Sequence, residues 1–157
     1  MENLNPNPNV LNKIAVPPSM ERWDELMEFV SSESRRNISD KKKSYGLILA
    51  AEEIISNIVR VSEGKEKIII EICSQKRISE DKKLLFDLLI ADNGIHFDPE
   101  FETLKNPCPD IPVSDRKIGG LGLFLVKNSC DHVSYTYKNP FNIYTLSAYI
   151  DQTEEDQ

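Results

Sequence analysis

Three stretches of this chain combine residue types at spacings that could do chemistry, and one of them suits a phosphate. The run Lys117-Ile118-Gly119-Gly120-Leu121-Gly122-Leu123-Phe124-Leu125-Val126 puts three of the six glycines within four residues, directly ahead of apolar residues at helical spacing. A helix starting near Gly120 would aim unpaired backbone N–H groups and the positive end of its dipole at an anion, and positions without a Cβ let a phosphate approach. A tight turn packed beneath a helix accounts for the same glycines. Further upstream, Glu53 and Asn57 set a carboxylate and an amide four residues apart, so on a helix both leave one face about a turn apart. Between these, Asp92-Asn93-Gly94 places a carboxylate in a turn signal at the end of an apolar run.

The elements that must hold these residues follow from periodicity. A helix is expected from about Lys41 to Ser62, opened by Ser39 or Asp40 and stopped at Gly64, with Leu47/Ile48, Ala51, Ile54/Ile55, Ile58 and Val61 as its apolar stripe. Its other side carries Gly46, Ala50, Glu53, Asn57 and Arg60. Exposed helix faces usually alternate Lys and Glu, so two small residues followed by a carboxylate, an amide and a guanidinium mark this side as special. Ahead of it the pattern predicts an edge strand, Val10 to Val16, closed by Pro17-Pro18. A helix opened by Ser19 follows, with Met20, Trp23, Leu26, Met27 and Val30 on its core face.

Beyond the long helix, strands at Glu66 to Ser74 and Leu84 to Ala91, joined by a polar turn from Gln75 to Asp81, read as an antiparallel hairpin. From Asp98 to Lys117, Pro99, Pro107, Pro109 and Pro112 forbid regular structure, and the segment ends in the basic pair Arg116-Lys117. An irregular segment of roughly 20 residues inside a compact domain reads as a lid or binding loop. The glycine run then opens a helix to about Cys130, followed by strands at Val133 to Tyr137 and Phe141 to Ile150, joined through Lys138-Asn139-Pro140. This order predicts an α+β fold, a two-layer sandwich with helices on one face of a mostly antiparallel sheet. A doubly wound dinucleotide fold is disfavoured, because its glycine loop would follow an early strand.

Composition narrows the function. At 157 residues the chain suits one domain, residues 10–150, with a disordered lead-in over 1–9 and an acidic tail over 151–157. The net charge of −7 argues against nucleic acid as a partner. No apolar run reaches the roughly 20 residues of a membrane span, and the start lacks the basic and apolar regions of a signal peptide. Cys73, Cys108 and Cys130 are odd in number and widely spaced, which fits a reducing cytoplasm better than disulfides or zinc. His96 and His132 have no partner at metal-ligand spacing.

In their order, Glu53-x-x-x-Asn57, Asp92-Asn93-Gly94 and Gly119-Gly120-Leu121-Gly122-Leu123 resemble the N, G1 and G2 boxes of the ATPase/kinase superfamily of gyrase, histidine kinases and mismatch-repair ATPases. More narrowly, Glu52-Glu53-Ile54-Ile55-Ser56-Asn57, Asp92-Asn93-Gly94-Ile95-His96-Phe97-Asp98-Pro99 and Gly119-Gly120-Leu121-Gly122-Leu123-Phe124-Leu125-Val126 look like bacterial anti-sigma regulatory factors, serine-protein kinases of the partner-switching type. The likeness runs from about Ile14 to Ile150 and implies the superfamily's ATP-binding (Bergerat-type) fold.

The resemblance also implies ATP and Mg²⁺ as cofactors, with Asn57 as the metal ligand and Glu53 as general base. It makes Asp92 the acceptor of the adenine amino group, with Gly94 letting the base lie close. Arg116, Lys117, Gly119, Gly120, Leu121 and Gly122 would surround the phosphates. The partners it implies are a sigma factor and an anti-anti-sigma antagonist, with the protein as a homodimer through its first strand and helix. One departure is that many relatives carry His four residues after the box asparagine, where this chain has Val61; the lid is also short and rich in proline. A non-catalytic, ATP-gated binding protein is the competing expectation. A sensor histidine kinase's catalytic domain is a third, disfavoured because the sequence carries no helix pair with a phosphoacceptor histidine.

Overall fold

The computed structural model describes residues 9–100 and 120–151. Arg116, Lys117, Gly119 and most of the expected lid lie outside the described residues. The elements run β1 (Val10–Val16), α1 (Trp23–Asn37), α2 (Lys41–Ser62), β2 (Ile70–Ile78), β3 (Leu84–Asp92), α3 (Gly120–Ser129), β4 (His132–Lys138) and β5 (Phe141–Tyr149). Every pairing in the five-stranded sheet is antiparallel, in the order β1-β2-β3-β5-β4. The α+β sandwich expected from the element order is the fold observed.

The core lies between the helices and one face of the sheet. Alternation puts Ile70 and Ile72 of β2, Phe86, Leu88 and Ile90 of β3, and Leu146 and Ala148 of β5 against Leu47, Ala51, Ile54 and Ile55 of α2. α2 is central, touching β3 and β5 below and α1 and α3 on its flanks. Its start is set by Asp40, whose carboxylate accepts from the N–H groups of Lys42 (2.9 Å) and Lys43 (3.1 Å). Such a cap contributes about 1 kcal/mol, whereas each fully buried Leu or Ile contributes about 1.5–3 kcal/mol. Burial therefore holds the helix, and the cap decides where it begins.

Beyond Val61, expected in the apolar stripe of α2 but 49% exposed, two expectations shift. β2 runs Ile70–Ile78 rather than Glu66 to Ser74. At its start Lys67 takes a positive φ of 64°, and the Asn93 side chain bonds Ile69 N–H (2.7 Å) and the Lys67 carbonyl (3.2 Å), so these residues serve the Asn93 turn instead of the ladder. At its end, polar residues that read as a turn stay in the sheet because they meet a buried carboxylate on its other face. Gln75 Nε2 (2.8 Å) and Arg77 Nε (2.6 Å) both donate to Asp87 Oδ2, and Ser147 Oγ donates to Asp87 Oδ1 (2.5 Å). The second shift is Met20, expected on the core face of the first helix. It sits in a 3₁₀ turn, Met20–Arg22, and is 69% exposed, since the tighter turn rotates it off the stripe that begins at Trp23.

α3 lies close enough to α2 that Gly46 touches its last residue: a Cβ at Gly46 would come within 2.5 Å of the Ser129 carbonyl oxygen. Helix propensity alone favours Ala over Gly by about 1 kcal/mol. The backbone clash opposes it and is the larger effect, so Gly46→Ala is expected to destabilise by about 1–3 kcal/mol. Urea unfolding checks the sign; a stabilised variant would mean the helices are not in contact there.

Candidate functional site

The unusual face of α2 is the seam with α3. Gly46 meets Ser129 at one end, and at the other a Cβ at Gly122 would fall on the Glu53 carboxylate. Seven residues separate Gly46 from Glu53 and seven separate Gly122 from Ser129, so the helices run antiparallel and side by side, with the buried Ala50 and Val126 on the turns between. Small residues on both helices bring the backbones together, and the seam thereby sets Glu53 beside the first turn of α3. That turn begins at Gly120, so its first N–H groups have no partner within the helix.

One turn beyond Glu53, Asn57 lines a cavity of about 170 Å³ with Asp92, Ile95, Phe97, Leu123 and Asn142. Asn57 and Asp92 therefore share one hollow with the helix that follows the glycine run. Glu53 stands at the Gly122 contact, next to it. The cavity is smaller than the roughly 300 Å³ at which whole-ligand pockets begin. Its walls are mostly apolar, with the Asp92 carboxylate, the Asn57 and Asn142 amides, the Arg60 guanidinium and the Tyr144 hydroxyl as the polar groups.

Asp92 ends β3 and is 4% exposed. Its Oδ1 accepts from Gly94 N–H (2.9 Å) and from Asn142 Nδ2 (3.3 Å). Burial pushes this carboxyl above the usual carboxylate range, and the two hydrogen bonds pull the other way. Burial likewise pushes the neighbouring Tyr144 hydroxyl well up, with Asp92 adding to the shift. Asn57 Oδ1 is engaged by Arg60 Nη2 at 2.9 Å. Arg60 also borders a larger open groove of about 960 Å³, beside Met20, Trp23 and Lys65. Val61, at the position where many relatives have His, lines the cavity and is half exposed.

A family model described as the histidine kinase-like ATPase domain matches residues 16–147. The chain belongs to the histidine kinase-like ATPase family. Within it, the serine-protein kinases RsbW of Listeria innocua serovar 6a and of Listeria monocytogenes serovar 1/2a are each 31% identical over 116 residues, covering 71% of this chain and 69% of theirs. The resemblance to partner-switching serine-protein kinases is borne out by these relatives, and membership of a histidine kinase-like ATPase family implies ATP binding. No helix among the described residues is long and apolar enough to cross a membrane.

Of the residues expected at the site, Asn57 and Asp92 line the cavity, Glu53 stands beside it and Gly94 bonds Asp92. Asn142 and Tyr144, which also line it, were not among them, and Ile95 and Phe97 entered only as part of the Asp92–Pro99 block. Asn142 had a signal: period-two alternation sets it on the same face of β5 as Tyr144, Leu146 and Ala148, an amide where a core residue is expected. For Ile95 and Phe97 periodicity offers no signal, because irregular backbone has no period; only the block that carries the resemblance includes them.

The raised Asp92 carboxyl has a consequence for stability. The native state holds this proton to higher pH than the unfolded chain, so between the ordinary carboxylate range and the raised native value, stability falls as pH rises. Asp92→Asn is therefore expected to raise the unfolding midpoint near pH 7. The gain should vanish below the ordinary carboxylate range; thermal melts across pH check both the sign and its disappearance.

Proposed function

We propose that the protein is an Mg·ATP-dependent serine/threonine-protein kinase and anti-sigma factor. In this reading it transfers the γ-phosphoryl group to a serine or threonine of a small anti-anti-sigma antagonist and sequesters a sigma factor when unopposed. Support comes from the family, from the RsbW serine-protein kinases of Listeria as relatives, and above all from one observation: Glu53 lies beside the first turn of α3 and one helical turn from Asn57 at the cavity that holds Asp92.

The adenine ring occupies the cavity and its amino group donates to Asp92, whose Oδ1 already takes two protein donors. The phosphates extend toward Gly120, Leu121 and Gly122 at the start of α3, where N–H groups and the helix dipole favour anions. Arg116, Lys117 and Gly119 add donors from the segment before it. Asn57 would hold the Mg²⁺: an amide oxygen facing the cavity suits a hard cation that binds through few protein groups, and ligation requires Arg60 to release that oxygen. When bound, the metal supplies charge neutralisation on the phosphates.

Glu53 takes the proton from the acceptor hydroxyl as its oxygen bonds to the γ-phosphorus and the bond to the bridging oxygen breaks, releasing ADP. The homodimer through β1 and α1, and a cytoplasmic location, belong to the same reading and rest on resemblance.

Glu53→Ala is expected to bind ATP nearly as wild type and to phosphorylate the antagonist about 10²–10⁴-fold more slowly, the usual worth of a general base. Labelled ATP with purified antagonist measures it. Phosphorylation at the wild-type rate would remove Glu53 from the role. The competing reading is an ATP-gated binder without catalysis. It predicts no transfer from wild-type protein in the same assay.

A further inference from the structure

We propose that Asn142 is a positioning residue that makes the cavity selective for a base with an exocyclic amino group, by holding Asp92 as a charged acceptor and pinning the wall that carries Ile95 and Phe97. This rests on the reading of the cavity as a nucleotide-base site.

Asn142 is 1% exposed and sits directly across the ladder from Asp92. Its amide makes four hydrogen bonds. Nδ2 donates to Asp92 Oδ1 (3.3 Å) and to the Ile95 carbonyl (2.9 Å). Oδ1 accepts from Phe97 N–H (3.1 Å) and from the Tyr135 hydroxyl (2.7 Å). Four is the full capacity of an asparagine side chain. The orientation is forced, because a flipped amide would turn its oxygen on a carboxylate and a carbonyl and its NH₂ on an N–H.

The side chain thus joins three things: the charge on Asp92, the loop over Ile95–Phe97, and Tyr135 on β4. Burial otherwise disfavours the charge on Asp92. Asp92 lies near enough to Tyr144 on β5 and Tyr135 on β4 to raise both hydroxyls, and Asp98 of the loop acts on the same two rings; among the described residues Arg60 on α2 is the cation lining the cavity, and from α3 the lining residue is the apolar Leu123. His96 stacks farther out on Tyr137. Only Gly94 N–H and Asn142 donate to the carboxylate among the described residues. Burial raises this carboxyl, and Asn142 is one of the two groups opposing that rise.

The chemical consequence is discrimination. An ionised Asp92 only accepts, so it takes an amino group and rejects a carbonyl oxygen at the same ring position. A protonated Asp92 donates as well and loses that distinction. Removing Asn142 moves the carboxyl toward protonation and also frees the loop.

The test compares ATP with ITP, which exchanges the amino group for a carbonyl oxygen, by calorimetry across pH, alongside the Asp92 carboxyl titration followed by carbon NMR in nucleotide-free protein. In Asn142→Ala the Asp92 titration is expected to move upward. The preference for ATP over ITP at neutral pH should narrow about tenfold, the worth of one hydrogen bond to a charged group. The pH below which ATP binding weakens should rise with the titration.

An unchanged titration or an unchanged preference overturns the proposal. If Asn142→Ala does not fold, Tyr135→Phe carries the test, since it removes one of the two anchors on the amide oxygen; a smaller change in the same direction is expected, and none overturns it. Failure of the nucleotide reading looks different: wild-type protein that does not separate ATP from ITP, or Asp92→Asn that binds ATP as wild type, removes the base site itself.

Discussion

The site depends on two helix backbones touching. α2 and α3 lie as close as they do because Gly46 leaves room for the Ser129 carbonyl and Gly122 leaves room for Glu53. The two contacts are spaced alike on both helices, so together they fix the register of α3 as well as its distance. Register is what matters for chemistry. Sliding α3 by one residue would move its first N–H groups about 1.5 Å along the axis and swing them about 100° around it, away from the face of Glu53 and Asn57.

A second constraint acts at the end of the sheet. Asp92 and Asn142 are cross-strand partners on the face that the helices cover, where nearly every other residue is apolar. Burying a carboxylate there costs stability unless donors surround it. The contrast with Asp87 is informative. Asp87, fully buried on the opposite face, receives Gln75 and Arg77 on one oxygen and Ser147 on the other. Asp92 receives two donors on a single oxygen, within a cavity. The first carboxylate ties strands together. The second lines a cavity with its other oxygen taking no donor among the described residues, and burial raises its protonation range.

Much of this was legible in the residues. Period-two and period-three-and-four patterns place β1 and α2 at the observed residues; α2 buries a continuous apolar side, whereas β1, at the sheet edge, buries only Val16. The odd face of α2 was visible as an anomaly, and the seam explains it: small residues where α3 comes close, polar ones where the site opens. β2 was displaced because its ends are decided by partners distant in sequence, Asn93 at one end and Asp87 at the other. Met20 was misplaced because a 3₁₀ turn and an α-helical turn differ by a rotation that local composition does not specify.

The chain's residues by themselves determined the element types, the three motif blocks and the family they resemble, since all of these are carried by local spacing and residue chemistry. Tertiary structure alone decided which groups meet: Gly122 on Glu53, Arg60 on the oxygen of Asn57, and Asn142 between Asp92, the Ile95–Phe97 loop and Tyr135. Asn142 and Asp92 are 50 residues apart in sequence. A hydrogen bond over that separation exists only once the sheet has brought β3 and β5 into register, and no local pattern encodes the register of strands so far apart.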